Sequence, residues 1–241
     1  MARDNLYATS RRVVAPFKFD SEVVQVFDDM IGRSVPHYRE NFEELVALSL
    51  AAAKPGTSVY DLGCSLGAFL IPLARRLKQE GTEGVRLVGV DNSKDMLDGL
   101  VARSSGLEIE TICQPIQEVE IEKASVVVLN YTLQFVPLED RKPLLERIAN
   151  GSRPGSVLLI SEKIMGDSQW IDQLYVERHH EFKRRNGYSE LEIAQKRQSL
   201  ENVLVAETLD SHKKRIRAAG YSDVCVWSQF HNFVSLCAVK R

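Results

Sequence analysis

Along most of this 241-residue chain, segments with the apolar pattern of a strand alternate with segments that have the apolar pattern of a helix. Short, β-branched runs are typical of strands buried on both faces, and the stretches between them carry apolar residues at helical spacing. The predicted strands are 58–63, 85–93, 107–113, 125–131 and 156–162, and the predicted helices between them are 69–80, 93–104 and 138–151. Strands that alternate with helices predict an α/β fold with a doubly wound, mostly parallel sheet and right-handed crossovers.

Two segments depart from this alternation. Residues 1–53 have no clear strand and predict an N-terminal helical segment, with one helix over 19–32 and another over 41–53. Residues 164–205 are long, charged and helical in pattern. They predict a helical insertion that forms either a lid or an oligomer surface.

The end of the chain predicts a helix over 208–220 and then a pair of strands at 223–229 and 233–241. The turn between these strands is short, so they predict a final antiparallel hairpin. Because no linker, repeat or low-complexity tract divides the sequence, we expect a single domain over residues 1–241.

Composition narrows the class of protein. Hydrophobic residues make up 44% and charged residues 27% of the chain, which is typical of a folded globular protein. The formal net charge is −2, whereas dedicated nucleic-acid binders carry an excess of basic residues. We therefore expect no direct contact with nucleic acid. The N-terminus has no apolar secretion signal and the apolar stretch 45–53 is too short to span a bilayer, so we expect a cytoplasmic protein without membrane contact. The four cysteines form no C-x-x-C pair, and we expect no metal.

The sharpest local motif is VYDLGCSLGAF at 59–69, where a strand runs into a glycine turn before a helix. Glycines at such a turn let a ligand approach the backbone closely. A dinucleotide fingerprint would need glycine at 63, 65 and 68, but the chain has Ser65 and Ala68 at the last two positions. The motif instead resembles the D-x-G-x-G-x-G loop of S-adenosylmethionine-dependent enzymes, with Ser65 in place of the middle glycine.

Polar side chains follow several of the predicted strands. In a doubly wound sheet, ligands bind beyond the carboxyl ends of the strands, and Asp61, Gly63, Asp91 and Asn130 all lie at such ends. An acidic residue at one strand end is most often a helix cap. The combination favours a bound adenosine. The two ribose hydroxyls of the adenosine would donate hydrogen bonds to Asp91.

Longer motifs resemble one family over nearly the whole chain. These motifs are FDSEVVQVFDDMIGRSVPHY (19–38), VYDLGCSLGA (59–68), ASVVVLNYTLQF (124–135), HHEFKRRNGYSELEIAQKR (179–197) and LENV (200–203). They closely resemble the carboxy-S-adenosyl-L-methionine synthases, which belong to the class I S-adenosylmethionine methyltransferase-like superfamily. The motif in the helical insertion is the most specific, since ordinary methyltransferases have no reason to share it.

The resemblance implies a reaction and its partners. S-adenosyl-L-methionine and prephenate would be converted to carboxy-S-adenosyl-L-methionine and phenylpyruvate. The product would supply a partner enzyme, a tRNA carboxymethyltransferase, that builds 5-oxyacetyl groups on the wobble uridine of certain tRNAs. The family also implies a homodimer.

The resemblance also implies roles for individual residues. Arg197 matches an arginine that binds the added carboxylate and reaches into the neighbouring subunit's site, although the charge pattern alone would make it an ordinary exposed helix residue. The other cofactor-binding positions that the resemblance implies are Tyr38, Gly63, Cys64, Ser65, Asp91, Asn92, Pro115, Ile116 and Asn130. Pro115 stands where the family usually has an acidic residue near the adenine amine, so the recognition of adenine is left open.

Two other functions remain open on the sequence. A conventional methyltransferase acting on a small molecule or RNA would share the fold and the glycine loop, although the fourth-strand motif NYTLQF is not the N-P-P-[YF] used on planar amines. A non-catalytic scaffold for a tRNA-modifying partner would not need Asp91 or Arg197. No histidine stands out as a general base, because the five are scattered and the adjacent His179 and His180 do not share a helix face.

Overall fold

An eight-stranded sheet forms the centre of the computed structural model, which describes residues 2–241. The strands are β1 (Thr57–Leu62), β2 (Val85–Asp91), β3 (Glu110–Cys113), β4 (Ala124–Asn130), β5 (Ser152–Met165), β6 (Glu207–Thr208), β7 (Tyr221–Phe230) and β8 (Phe233–Lys240). Their order is β3-β2-β1-β4-β5-β8-β7, and β6 pairs with β5 off this path. The first five strands are parallel, whereas β8 runs antiparallel to both β5 and β7. This confirms the predicted doubly wound α/β fold with a C-terminal antiparallel hairpin.

Eight α-helices surround the sheet in the described part of the chain. They are α1 (Ser21–Ser34), α2 (Tyr38–Ala52), α3 (Leu70–Gln79), α4 (Lys94–Arg103), α5 (Leu138–Gly151), α6 (Gln169–Arg185), α7 (Glu190–Leu200) and α8 (Leu209–Ala218). Within residues 2–241, none of these helices is long and apolar enough to cross a membrane.

Strand β4 shows why the sheet is buried on both faces. Successive side chains of a strand point to opposite faces, and Val126 and Val128 pack into one apolar cluster while Val127 and Leu129 pack into another. The first cluster contains side chains of α2, α3 and α4, and the second contains side chains of α5 and α8. Helices therefore cover both faces, and polar ligands have access only at the strand ends.

The N-terminal segment packs over the strand ends as a third apolar cluster. Side chains of α1 contact Leu66, in the loop after β1, and Met96 of α4. Two hydrogen bonds hold the chain before α1: the amide of Phe17 donates to the Ser199 carbonyl at 2.8 Å, and Ser93 Oγ donates to the carbonyl of Phe19 at 2.6 Å. The segment is thus fixed between α4 and the helical insertion.

Several element boundaries differ from the sequence prediction, among them those of α1 and β5. Helix α1 was expected to end at Gly32 but continues to Ser34. One glycine costs a helix only about 1 kcal/mol, and the effective stop is Pro36, which disfavours helical backbone at Val35. Strand β5 extends beyond the predicted 156–162 in both directions, because Ser152 pairs with Ala124 of β4 and Ile164 and Met165 pair with β6. The short β6 was not predicted.

Candidate active site

A cavity of about 1040 Å³ opens at the carboxyl ends of β1, β2, β4 and β5. Helices α1 and α2 form one wall, and α6 and α7 of the helical insertion form the other. All of the predicted site residues except one lie in its lining, namely Tyr38, Gly63, Cys64, Ser65, Asp91, Asn92, Ile116, Asn130 and Arg197. The exception is Pro115, which is exposed and lies outside the lining, whereas its neighbours Ile116 and Gln117 belong to it.

The glycine loop after β1 is held tightly against two other segments. The amides of Gly63 and Cys64 both donate to the carbonyl of Val90 in β2, at 2.8 and 3.0 Å. Gly63 has φ of +85°, and a Cβ at this position would lie 2.4 Å from Thr132 Oγ1 in the loop after β4. A side chain at position 63 would therefore strain the backbone and displace Thr132.

Ser65 has a left-handed backbone although it is not glycine. Its φ is +48°, a conformation that glycine adopts more easily. Its amide donates to Asp91 Oδ2 at 2.9 Å, and its hydroxyl lies 3.3 Å from Met96 Sδ. The bond to a buried carboxylate offsets the backbone strain, which explains how serine is accommodated in a loop that usually has glycine.

Cys64 lines the cavity but is almost fully buried. Its side chain is buried and packs beside β2, where a Cβ on Gly89 would lie 2.9 Å from the sulfur. Burial raises the pKa of the thiol, as do the nearby carboxylates of Asp61 and Asp91. Because only the thiolate is strongly nucleophilic, Cys64 is not suited to covalent chemistry.

Asp91 joins the glycine loop to the start of α4. Its Oδ2 accepts the amide of Ser65 and its Oδ1 accepts the amide of Ser93, each at 2.9 Å. Burial raises the pKa of Asp91, and the hydrogen bonds from backbone amides oppose that shift. Each carboxylate oxygen has a further lone pair, so Asp91 can still accept hydrogen bonds from a ligand.

Asp61 is a second buried carboxylate in the lining. Within residues 2–241 no hydrogen-bond donor reaches its oxygens, although the residue is only 3% exposed. Burial raises its pKa to about 8, and the negative charge of Asp91 adds to the effect. A cationic ligand would stabilise the ionised form of this group.

A buried polar network fixes the start of α2 on the sheet. Asn41 donates from Nδ2 to Asn130 Oδ1 at 2.9 Å and accepts from Ser235 Oγ at 2.7 Å. Tyr38 lies one turn earlier on the same helix, and its ring centroid is 6.3 Å from that of Tyr131. The N-terminal segment therefore presents Tyr38 to the cavity from a position that depends on β4 and β8.

Four cationic side chains, which we call the cationic wall, line the side of the cavity next to the insertion. They are Lys163 of β5, Lys183 of α6, and Lys196 and Arg197 of α7. Within residues 2–241, none of them has a carboxylate oxygen within 4.0 Å. Of these four residues, the sequence analysis selected only Arg197. The three lysines lie in three different elements and resemble ordinary surface charges in the sequence.

Two histidines also reach the cavity. His179 is buried, and its Nε2 lies 2.8 Å from the carbonyl oxygen of Ser34. Burial lowers its pKa to about 2, and the positive charges of Lys183 and Lys163 contribute, so the imidazole is neutral. His180 is half-buried and lines the cavity as well. Residues 2–241 contain no group of three or more His, Cys, Asp or Glu side chains placed to hold a metal ion.

Comparison with known proteins defines the class first. A family model described as "Methyltransferase domain" matches residues 59–155. Magnesium protoporphyrin IX methyltransferase from Synechocystis PCC 6803, solved with bound SAM, superposes with a TM-score of 0.58 at 18% identity and covers 99% of this chain and 95% of its own. An O-methyltransferase family protein from Burkholderia thailandensis gives a TM-score of 0.65 at 18% identity over 95% of this chain and 65% of its own. The fold is that of the class I methyltransferases.

Curated relatives identify the family within that class. Carboxy-S-adenosyl-L-methionine synthase from Geobacter sp. (strain M21) is 46% identical over 98% of both chains. The protein of that name from Photobacterium profundum is 44% identical over 99% of this chain and 98% of its own. The chain therefore belongs to the carboxy-S-adenosyl-L-methionine synthase family, a family of enzymes, as the sequence motifs predicted.

The geometry of Asp91 predicts that Asp91→Ala disturbs the glycine loop even without a ligand. The amides of Ser65 and Ser93 would lose a charged acceptor, and such bonds contribute about 1.5–3 kcal/mol each. We expect faster hydrogen exchange at both amides, measured by NMR. Asp95→Ala is the matched control, since Asp95 is an exposed acid of the same helix start without a bond to either amide. Unchanged protection of Ser65 in Asp91→Ala would contradict this role.

Proposed function

We propose that the protein converts S-adenosyl-L-methionine and prephenate to carboxy-S-adenosyl-L-methionine and phenylpyruvate. The observation that carries the proposal is that one cavity has two buried carboxylates at one group of strand ends and four cationic side chains on the side next to the insertion. Asp61 and Asp91 lie at the ends of β1 and β2, and the cationic wall begins at β5. Strand β4 separates β1 from β5, which corresponds to about 10 Å between these two strands.

This arrangement suits the two proposed substrates. S-adenosyl-L-methionine carries a sulfonium and an ammonium group, which the buried carboxylates would stabilise, and a ribose diol for Asp91. Prephenate is a dicarboxylate, which the cationic wall would attract. Ligand cavities measure about 300–1,000 Å³, and this cavity of about 1040 Å³ lies at the upper end of that range.

The proposed reaction balances without an added base. Prephenate loses one carboxylate as CO2 and its hydroxyl group as hydroxide while its ring becomes aromatic. The hydroxide removes a proton from the methyl group of S-adenosyl-L-methionine to give water and a sulfonium ylide, and the ylide carbon bonds to the CO2. The pKa of His179 is lowered to about 2, so its imidazole is a weak base, which agrees with a reaction in which no histidine needs to accept the proton.

The proposal extends to the surroundings of the enzyme. The product would be consumed by a tRNA carboxymethyltransferase in the 5-oxyacetyl modification of wobble uridine, and the enzyme would work in the cytoplasm as a homodimer. Arg197 is exposed on α7 as well as lining the cavity of its own chain, so its guanidinium is accessible to a second subunit.

The direct test incubates the purified protein with S-adenosyl-L-methionine and prephenate. We expect phenylpyruvate and the carboxylated cofactor in equal amounts, quantified by mass spectrometry, and no carboxylated cofactor when prephenate is omitted. Methyl transfer to an added acceptor, with only S-adenosylhomocysteine formed, would instead favour a conventional methyltransferase.

Arg197 should distinguish the carboxylated cofactor from its parent. A guanidinium binds a carboxylate through two parallel hydrogen bonds, which the parent cofactor cannot accept. Arg197→Ala should lose roughly 10- to 100-fold in affinity for the carboxylated form, equivalent to about 1.5–3 kcal/mol, and keep its affinity for S-adenosyl-L-methionine. Arg197→Lys should recover only part of this loss. Calorimetry with both ligands checks the prediction, and equal losses for both would contradict it.

Subunit mixing tests the proposed exchange of Arg197 between protomers. Arg197→Ala and Asp91→Ala subunits, each inactive alone, should regain some activity when mixed, since one site of a mixed dimer then has both residues intact. No recovery, despite subunit exchange demonstrated by native mass spectrometry, would mean that Arg197 serves its own chain.

Asp61 should make cofactor binding depend on pH. Its pKa of about 8 in the free protein means that the carboxyl group is mostly protonated at pH 7. Binding of a cationic ligand favours the ionised form, so a proton is released and affinity rises with pH, by up to about tenfold per unit below pH 8. Calorimetry between pH 6 and roughly 7.5, below the pKa of the ligand's α-amino group, should show this rise. The slope should disappear in Asp61→Asn, and an identical slope in that variant would exclude Asp61 as the cause.

A further inference from the structure

Two lysines of the cationic wall line the cavity without a direct ion pair within residues 2–241. Lys183 is 9% exposed on α6, and Lys163 is half-buried on β5. The backbone of Lys163 is held in place, since its amide donates to the Gln134 side chain at 3.1 Å. Within residues 2–241, no acceptor lies within hydrogen-bond distance of either ammonium group, although both residues line the cavity.

The two ammonium groups also repel each other. Burial and the charge of Lys163 together lower the pKa of Lys183 to about 8, although the negative charge of Asp4 opposes the shift. Burial lowers the pKa of Lys163 as well; Asp172 opposes this shift and Arg197 adds to it. Bringing like charges together in a partly dry cavity is costly unless an anion joins them. The pair is therefore complementary to an anionic group of a ligand.

The remaining cations of the wall have other contacts. The Nζ atom of Lys196 lies 3.3 Å from the centroid of the Phe17 ring and 3.3 Å from Met30 Sδ, so this ammonium group is already engaged by the N-terminal segment. Arg197 is the residue proposed above for the carboxylate of the product. Lys163 and Lys183 are left as the pair for a different anionic group.

An aromatic surface lies beside this pair. The ring centroid of His179 is 4.9 Å from that of Phe233, and Tyr131 is 6.1 Å from Phe233 on the other side. All three residues line the cavity. A ligand with a carboxylate on the lysines can therefore place a flat six-membered ring against neutral aromatic side chains.

The chemistry of decarboxylation decides which carboxylate of prephenate would bind there. A carboxylate paired with two cations is stabilised as an anion and releases CO2 less readily. The carboxylate that leaves should consequently lie away from the pair, and the carboxylate that is retained should lie on it. The retained group is the 2-oxo acid that prephenate and phenylpyruvate share.

We propose that Lys163 and Lys183 together bind the 2-oxo acid group of the second substrate, while its other carboxylate is left free to depart as CO2. This inference rests on the proposed function. It differs from the role of Arg197, which concerns the carboxylate after its transfer to the cofactor.

Phenylpyruvate is the probe for this site, because it carries the retained group and cannot react further. Its affinity for the intact protein is measured by calorimetry in the wild type, Lys163→Met and Lys183→Met. Loss of a charged partner should weaken binding by roughly 10- to 100-fold. Affinity for S-adenosyl-L-methionine should stay within about twofold. Lys163→Arg, which keeps the charge, should retain more affinity than Lys163→Met.

Controls separate this inference from folding defects and from the proposed function. Lys214→Met removes a lysine on α8 that is 76% exposed and paired with Asp210, and it should bind phenylpyruvate like the wild type. Melting curves establish that each variant is folded. Equal phenylpyruvate affinity in wild type and both methionine variants, or no phenylpyruvate binding by the wild type, would overturn the inference. Phenylpyruvate binding that requires both lysines, in a protein that makes no carboxylated cofactor from prephenate, would refute the proposed function and leave the anion site standing.

Discussion

The carboxylate of Asp91 is the interaction on which the geometry of the cavity depends. One buried group accepts amides from two different loops, the glycine loop and the start of α4. Strand β2 supplies this group and also supplies the Val90 carbonyl that accepts the amides of Gly63 and Cys64. The position of the glycine loop is thus set by its neighbouring strand more than by its own residues. This explains why Ser65 can hold a left-handed backbone there without glycine.

The cavity combines parts with different physical origins. Its carboxylate side is built from strand ends, which the parallel sheet brings together in every protein of this architecture. Its cationic side comes from α6 and α7 and from the C-terminal end of β5, which continues to Met165. Arg141 links the end of the insertion to the loop after β4. Its buried guanidinium donates to the carbonyls of Gln134 and Val136 in that loop and of Val205 in the insertion. The insertion is consequently anchored to the loop after β4 by a charge that lies outside the cavity lining.

Sequence reasoning recovered the features that depend on local order along the chain. Strand ends follow from the hydrophobic period, so the sequence predicted that Asp91 and Asn130 lie at the same edge of the sheet, as the structure shows. The sequence did not indicate that Lys163 and Lys183 act together, because twenty positions and a change from strand to helix separate them. Lys183 lies within the family motif 179–197, but that motif pointed only to Arg197. The proximity of the two lysines depends on how the insertion folds back over the sheet. Pro115, which was matched from the family motif, lies outside the cavity lining, while Ile116 beside it lies within, so the role of Pro115 stays a prediction.

The matched methyltransferase region, 59–155, contains the glycine loop and three of the four strand ends at the cavity, but neither of its outer walls. Those walls come from residues 17–42 and 163–204. The outer segments contact the shared core through Leu66 and Met96, a few main-chain hydrogen bonds and the hydrogen bond from Asn41 to Asn130, so they can be moved to another core that keeps these partners. A chimaera that carries this chain's outer segments on the core of another class I methyltransferase would inherit the shape and charge of the reaction chamber while keeping a foreign nucleoside pocket. In this architecture the choice of chemistry can change by replacement of the periphery, with the shared core of the fold left untouched.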